Sequence, residues 1–514
     1  MSTFGKILEE VGEFGLFQKR LLAMLCVASF FVAFDVIGQV FIGMGFEHNC
    51  NTDWILERGP NLTEERQRNL TLPVNKDGKF ESCKMFTPVD WDLETIEAYG
   101  INSTTSCIHG WDYQAPPGSS SFVTEFDLVC ERSGLLEASQ SIYMAGYIIG
   151  AFTYGAISDR FGRRFAVLLS LSVVMTFGTA VAFSPNIYVL LALKFFCGTS
   201  GGVIIMNTTV LAVEWTGPSK NAIFTEIIII VFSVGLMVMS GIAYLIPDWR
   251  TLQLVFCCPI ILFLVFLYWF LPESARWLLT HGRKEEAQKV LEGVARMNKS
   301  KVPYDMLNKV DLKANTKSRS TLDIFRIPYL RKRTIIMGFN WFAASLLYYG
   351  LSLNVGSFGL NIYLTQFIFG LVEIPANLGS LVLIQRFGRR ICQSCFSIFG
   401  GVACLVILTI PDNLPVVVTV TAVIGKMAAT TAFGTVYVYT PELYPTVLRQ
   451  NGVGLNSMCA RVAGFLAPLV RLLDVFHHTI PFLIYGILPI FAGGFCFLLP
   501  ETLNVQLQDH AEDT

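Results

Sequence analysis

Charge is what this chain has least of. Only 15% of its 514 residues are Asp, Glu, Lys or Arg, against 53% hydrophobic residues and a mean hydropathy of +0.52. Soluble globular chains carry about a quarter charged residues, so an ordinary water-soluble domain is excluded. Catalytic motifs are missing as well. No GxxxxGK[ST] occurs, and the Gly-Lys pairs at 5, 78 and 425 lack its context, so nothing cradles the phosphates a primary pump would hydrolyse. HExxH is absent, and no paired Cys-x-x-Cys or Cys-x-x-His cluster offers a metal site. We read no enzyme, no cofactor, no metal and no nucleic-acid partner.

Long apolar runs fill the space. A hydrocarbon core about 30 Å thick takes about 20 helical residues, and twelve runs qualify, near 21–43, 138–157, 165–183, 187–213, 222–246, 250–271, 334–354, 361–384, 391–410, 414–440, 450–474 and 479–499. The first carries no small-residue cleavage site and reads as a retained span. The net charge of −1 hides an asymmetry: 44–137 holds 16 acidic against 7 basic residues, whereas 272–333 holds 7 against 15. The basic segment is expected in the cytoplasm with both termini, 1–20 and 500–514. The 44–137 loop is then outside. There Cys50, Cys83, Cys107 and Cys130 are expected to form two disulfides, three pairings being open, and Asn61, Asn69 and Asn102 head glycosylation sequons.

The chain also repeats itself. FGRR recurs at 161–164 and 387–390, Glu214 and Glu442 each follow a fourth span, and PES at 272–274 is echoed by PET at 500–502. Duplication gives two six-span halves, 138–271 with the first span and 334–499, joined by the basic 272–333 segment. Such halves suit a carrier that rocks around a central site. Between two spans a turn this short needs Gly162, and its arginines complement the helix C-terminus before it. Asp159 stands one helical turn from Arg163, where it can pair or cap; in the second copy Gln385 replaces it.

GAISDRFGRR at 155–164 resembles the signature loop of the major facilitator superfamily. PESARWLLTHGR (272–283), PELYPTVLRQNGVG (441–454), YYGLSL (348–353) and EFDLVC (125–130) resemble the solute carrier 22 family of organic-ion transporters, over nearly the whole chain. Within it the chain looks most like the organic anion branch and its nicotinate/urate exchangers. The resemblance implies an all-α membrane fold of twelve transmembrane helices, in the plasma membrane, working as a monomer by facilitated diffusion or anion exchange without ATP.

An ionisable residue deep in a span is a functional candidate by default. Arg461, halfway along its span, offers a planar fork for a carboxylate, and it matches the position where anion carriers of the family have arginine and cation carriers aspartate. The opposing expectation is pairing with Glu373 or Asp35. The resemblance places Phe232, Tyr349, Phe433 and Tyr437 at positions lining the cavity; Tyr348 and Phe369 are further ring candidates, which composition alone would assign to core. Lys426 is expected toward the outer side, attracting substrate or bonding carbonyls. Glu373 matches an acid common to the family. Asn207 and Gln39 are pocket members or helix bridges.

Two departures stand out. Asn377 occupies a position where dicarboxylate exchangers usually carry Lys or Arg, which favours monoanions. Asp35 is an acid in the first span, where the anion branch has none; it can neutralise Arg461, bind a proton or select zwitterions. Inner-face ionic contacts are expected from Asp159, Arg160, Arg163, Arg164, Arg386, Arg389 and Arg390 with Glu214, Glu442, Arg276 and Arg449. The resulting expectation is a transporter of small organic anions such as nicotinate, urate or orotate, in exchange for a counter-anion, with lipid its only other partner. The rivals are a cation or zwitterion carrier using Asp35 and Glu373, and a non-transporting receptor.

Overall fold

The structure, a computed structural model, describes residues 3–12, 14–75, 78–216, 220–303, 321–411, 413–445 and 448–504. The middle of the basic segment, 304–320, and the tail beyond 504 lie outside the described residues. Twelve long helices succeed one another: α1 (Leu16–Ile42), α2 (Gly134–Phe161), α3 (Arg163–Val181), α4 (Ile187–Glu214), α5 (Asn221–Leu245), α6 (Trp249–Phe270), α7 (Pro328–Leu353), α8 (Ile362–Phe387), α9 (Arg389–Ile407), α10 (Pro415–Glu442), α11 (Arg449–Arg471) and α12 (Ile480–Cys496). Among the described residues, nine are long and apolar enough to cross a membrane by length and composition. The remaining three have a common-sense reason to fall short: α12 has 17 residues, and α2 and α11, polar in places, pack along each other rather than facing lipid throughout.

Helices α1–α6 form one half and α7–α12 the other. The halves meet chiefly where α5 packs along α8 and α2 along α11. We call the end bearing residues 44–133 the loop face and the end bearing the FGRR turns the turn face. At the loop face several contacts join the halves, among them these. Phe41 stacks on Tyr363 at 5.4 Å, the Ser240 hydroxyl donates to the Tyr363 carbonyl, Ser141 donates to the Phe465 carbonyl at 3.0 Å, and Arg471 pairs with Glu137 at 3.4 Å. Toward the turn face the same α2–α11 pair diverges: a Cβ added at Gly155 or at Gly454 meets no atom within 4 Å. The cleft between the halves therefore opens to the turn face and is shut at the loop face.

The 44–133 segment is a small unit of short pieces, stitched because it has almost no core of its own. His48–Cys50 pairs with Trp111–Tyr113, and Lys84–Phe86 with Thr104–Ser106, both antiparallel. The disulfides are Cys50–Cys107 and Cys83–Cys130. Asn61, Asn69 and Asn102 are all exposed.

Candidate functional site

The two basic turns are built alike, and the duplication explains how. Gly162 and Gly388 hold φ of +108° and +92°, and a Cβ on either would overlap a carboxylate. That carboxylate is Glu273 in the first half and Glu501 in the second, the acids of the PES and PET repeats. Glu273 accepts from the backbone N–H of Arg163 (2.9 Å) and Arg164 (3.2 Å), and Glu501 from those of Arg389 (2.9 Å) and Arg390 (3.1 Å). Each acid thus caps the positive N-terminus of the following helix. Burial raises the Glu273 carboxyl above its ordinary value, and these N–H bonds pull it partly back. The arginine side chains turn the other way: Arg163 pairs with Glu214 at 3.1 Å and Asp159 at 2.6 Å, Arg389 with Glu442 at 3.1 Å.

These contacts revise the expected inner gate. Both ionic clusters lie inside one half, so they brace each half and stay formed while the cleft is open at that face. Arg160 and Arg386 lie over the neighbouring rings of Phe161 and Phe387. Arg164 and Arg390 donate to the carbonyls of Tyr268 and Leu499. Arg276 is exposed and, among the described residues, in no ion pair, and Arg449 donates to the Pro441 carbonyl at 2.9 Å.

At the middle of the cleft stands Arg461. It begins the fourth turn of α11, about 18 Å along the helix at 1.5 Å per residue. Neither expected carboxylate reaches it; among the described residues it has no acidic partner. Its guanidinium meets Met458 Sδ at 3.1 Å and Met206 Sδ at 3.6 Å, and lies 5.2 Å from the centre of the Tyr147 ring. Tyr349 and Tyr437 are within its electrostatic range. A run of rings continues along one wall: Trp341 against Tyr437 at 4.5 Å, Tyr437 against Phe433 at 5.4 Å, Phe433 on Tyr348 at 5.9 Å and Tyr348 against Tyr349 at 5.4 Å. Tyr437 is 53% exposed although it lies within a spanning helix, which fits a residue facing the open cleft. Phe232, on α5, is half-buried against the core of its own half.

Other candidates are spoken for. Glu373 and Lys426 pair with each other at 2.9 Å, with side chains 3% and 1% exposed. Glu373 also accepts from the hydroxyls of Tyr348 (2.7 Å) and Ser233 (2.8 Å), the latter from the opposite half, while Lys426 donates to Ser352 at 2.5 Å and lies 3.3 Å from the centre of the Tyr348 ring. A buried ammonium needs a counter-charge, and Glu373 supplies it; the expected role of Lys426 as a substrate attractor or a carbonyl donor is corrected. Phe369 is fully buried against Phe358 in the second half's core and lines nothing. Gln39 is a bridge, donating to Ser139 and to the Leu136 carbonyl. Asn207 and Asn377 are buried with side-chain amide nitrogens that have no hydrogen-bond partner among the described residues.

Asp35 is not with Arg461 either. Its carboxylate accepts from the Tyr143 hydroxyl at 2.6 Å and lies within electrostatic range of Lys194, a buried cation on α4. Sequence reasoning missed Lys194 because it begins an aromatic stretch, KFF, near a helix end. It also missed Trp341, Tyr147, Met206 and Ser233, which carry no signal until two helices meet. Glu273 and Glu501 were visible as repeats without a role. A Cys-x-x-Cys does occur at 392–395, but one thiol is buried, the other exposed, and among the described residues no further ligand stands beside them.

Residues 99–513 match the family described as "Sugar (and other) transporter". Human solute carrier family 22 member 13 is 42% identical and is aligned over 100% of this chain and 93% of its own length. Human organic anion transporter 3 is 35% identical over 99% and 93%. Among solved structures, the inward open conformation of the xylose transporter from E. coli covers 95% of this chain and 97% of its own, with a TM-score of 0.61 at 14% identity. That likeness carries the fold. The chain belongs to the solute carrier 22 family of the major facilitator superfamily, in its organic anion transporter branch.

Proposed function

We propose that the protein carries small aromatic monoanions, of the nicotinate, urate or orotate type, across the plasma membrane by alternating access, either by facilitated diffusion or in exchange for another anion. The 44–133 unit is outside and the termini inside, and the cleft described above is the inward-open state. One observation carries the reading: Arg461 is a cation deep in the cleft with two thioethers and phenol rings around it and no acid against it. A guanidinium so placed lacks the charge-assisted partner that a carboxylate supplies. The rings of Tyr349, Tyr348, Phe433 and Tyr437 would take the flat face of the substrate by stacking. Asn377 and Asn207 are in place to satisfy its polar edge. A single unpaired cation favours one negative charge over two, in line with Asn377 replacing a second cation. The cation-carrier reading loses its main residue, because Glu373 already neutralises Lys426.

Uptake of radiolabelled nicotinate, urate, carnitine and tetraethylammonium into cells expressing wild type and Arg461→Asp, at matched surface levels, tests this. The expected result is anion uptake by wild type, reduced at least about thirtyfold in the variant, since losing a charged partner costs about 2–5 kcal/mol. Wild-type preference for carnitine or tetraethylammonium overturns it.

A further inference from the structure

The first half holds a second buried charge cluster that anion recognition at Arg461 does not use. Asp35 on α1 accepts from Tyr143 on α2, and Lys194 on α4 faces it electrostatically. Asp35 and Lys194 form no ion pair within 4 Å, unlike Glu373 and Lys426. The carboxylate is pressed against α4 at Gly201, where a Cβ would overlap both Asp35 Oδ2 and the Tyr143 hydroxyl. The other titratable groups around it are Cys197 on α4 and Cys257 on α6. The two halves hold the same three groups on corresponding helices: acid, phenol and lysine on α1, α2 and α4 in the first, phenol, acid and lysine on α7, α8 and α10 in the second. In the second half the acid and lysine are locked in direct contact. In the first they are not, so the acid is held by one phenol and a distant ammonium.

We propose that Asp35 is a proton-binding site whose occupancy is coupled to the anion, so that of the two modes proposed above it is facilitated diffusion that operates, with a proton carried alongside each anion. The inference rests on the anion reading above. Two phenols, Tyr143 and Tyr349, stand between Asp35 and Arg461. Tyr143 is within electrostatic range of Tyr349, and Tyr349 of Arg461. Tyr349 also lies near α2 at the residue after Tyr143, since a Cβ at Gly464, one turn beyond Arg461, would lie 3.4 Å from the Tyr349 ring and 3.6 Å from Met144 Sδ. Ionised, Asp35 offsets part of the positive field at Arg461. Protonated, with the proton taken from water in the cleft onto a carboxylate oxygen, it no longer does. Proton and anion therefore favour each other's binding, and the coupling is reciprocal. One proton and one monoanion cross together without net charge, so transport is insensitive to membrane potential, and the proton leaves to water on the far side once the anion has gone.

The test is isothermal titration of nicotinate into purified protein in buffers of different ionisation enthalpy, between about pH 6.5 and pH 8, where the ligand's own charge is constant. Wild type is expected to take up a proton fraction on binding and to weaken in affinity by up to about tenfold per pH unit. Asp35→Asn, which fits the same space beside Gly201, is expected to bind with no proton uptake and a flat pH profile. The pair Asp35→Asn/Lys194→Met, which leaves no buried cation uncompensated, should do the same if the single variant folds poorly. Wild-type binding without proton uptake overturns the coupling alone. Proton uptake that survives in both variants overturns Asp35 as the site. No nicotinate binding at any pH overturns the anion reading and the coupling with it.

Discussion

Replacing Glu373 by Gln should unbalance the most deeply buried charge pair of the second half. At 2.9 Å, Coulomb's law with an effective dielectric constant near 20 gives about 6 kcal/mol of attraction. Desolvation of the two ions offsets much of this, so the pair as a whole contributes little net stability. Removing one partner is a different matter. Lys426 would keep only the Ser352 hydroxyl and the face of Tyr348, and an uncompensated buried cation costs about 3–5 kcal/mol. Lys426→Met alone should cost a similar amount. The double variant Glu373→Gln/Lys426→Met, holding no charge, should recover most of it and show a coupling energy above about 2 kcal/mol. The structure supplies the assay, because Cys197, Cys257, Cys392, Cys404 and Cys496 are buried free thiols that a thiol-reactive dye labels only on unfolding. Each single variant is expected to melt on the order of 5 °C lower in detergent. If the double variant melts as low as the two single losses added together, Glu373 and Lys426 are not an energetic pair and the reasoning fails.

Two further outcomes follow from the scaffold. Gly162→Ala and Gly388→Ala combine a left-handed φ with overlap of the Glu273 or Glu501 carboxylate, and should each lower stability by about 1–3 kcal/mol in the same melt; an unchanged midpoint refutes the capping role. Glu137→Gln removes the ion pair to Arg471 that joins the halves at the loop face. With Arg471 more than a third exposed, the pair is worth at most about 1 kcal/mol, so spin labels across that face should show at most a fivefold gain in the open population; no shift refutes its part in closure.

The sequence read by itself pointed to a membrane fold of many apolar helices. Apolar runs of about 20 residues with few charges read as spans, and the FGRR, Glu214/Glu442 and PES/PET repeats reported two equivalent halves before any contact was known. It also singled out Arg461 and Asp35, since an ion inside an apolar run is conspicuous in one dimension. Which ion faces which was decided only in three dimensions. The reading opposed to substrate contact paired Arg461 with Glu373 or Asp35; instead Glu373 meets Lys426 and Asp35 the Tyr143 hydroxyl, each within its own half, because packing sets distance and sequence separation does not. The same holds for Glu273 and Glu501, whose role depends on a glycine more than a hundred residues away, and for Phe369, whose ring reads like Phe433 in the sequence but turns into the core. Helical periodicity fixes which residues share a face. The neighbour that face meets, the end at which the cleft opens and the lack, among the described residues, of an acid beside Arg461 came from the tertiary structure alone, because burying a charge is tolerable only where folding brings its partner to it.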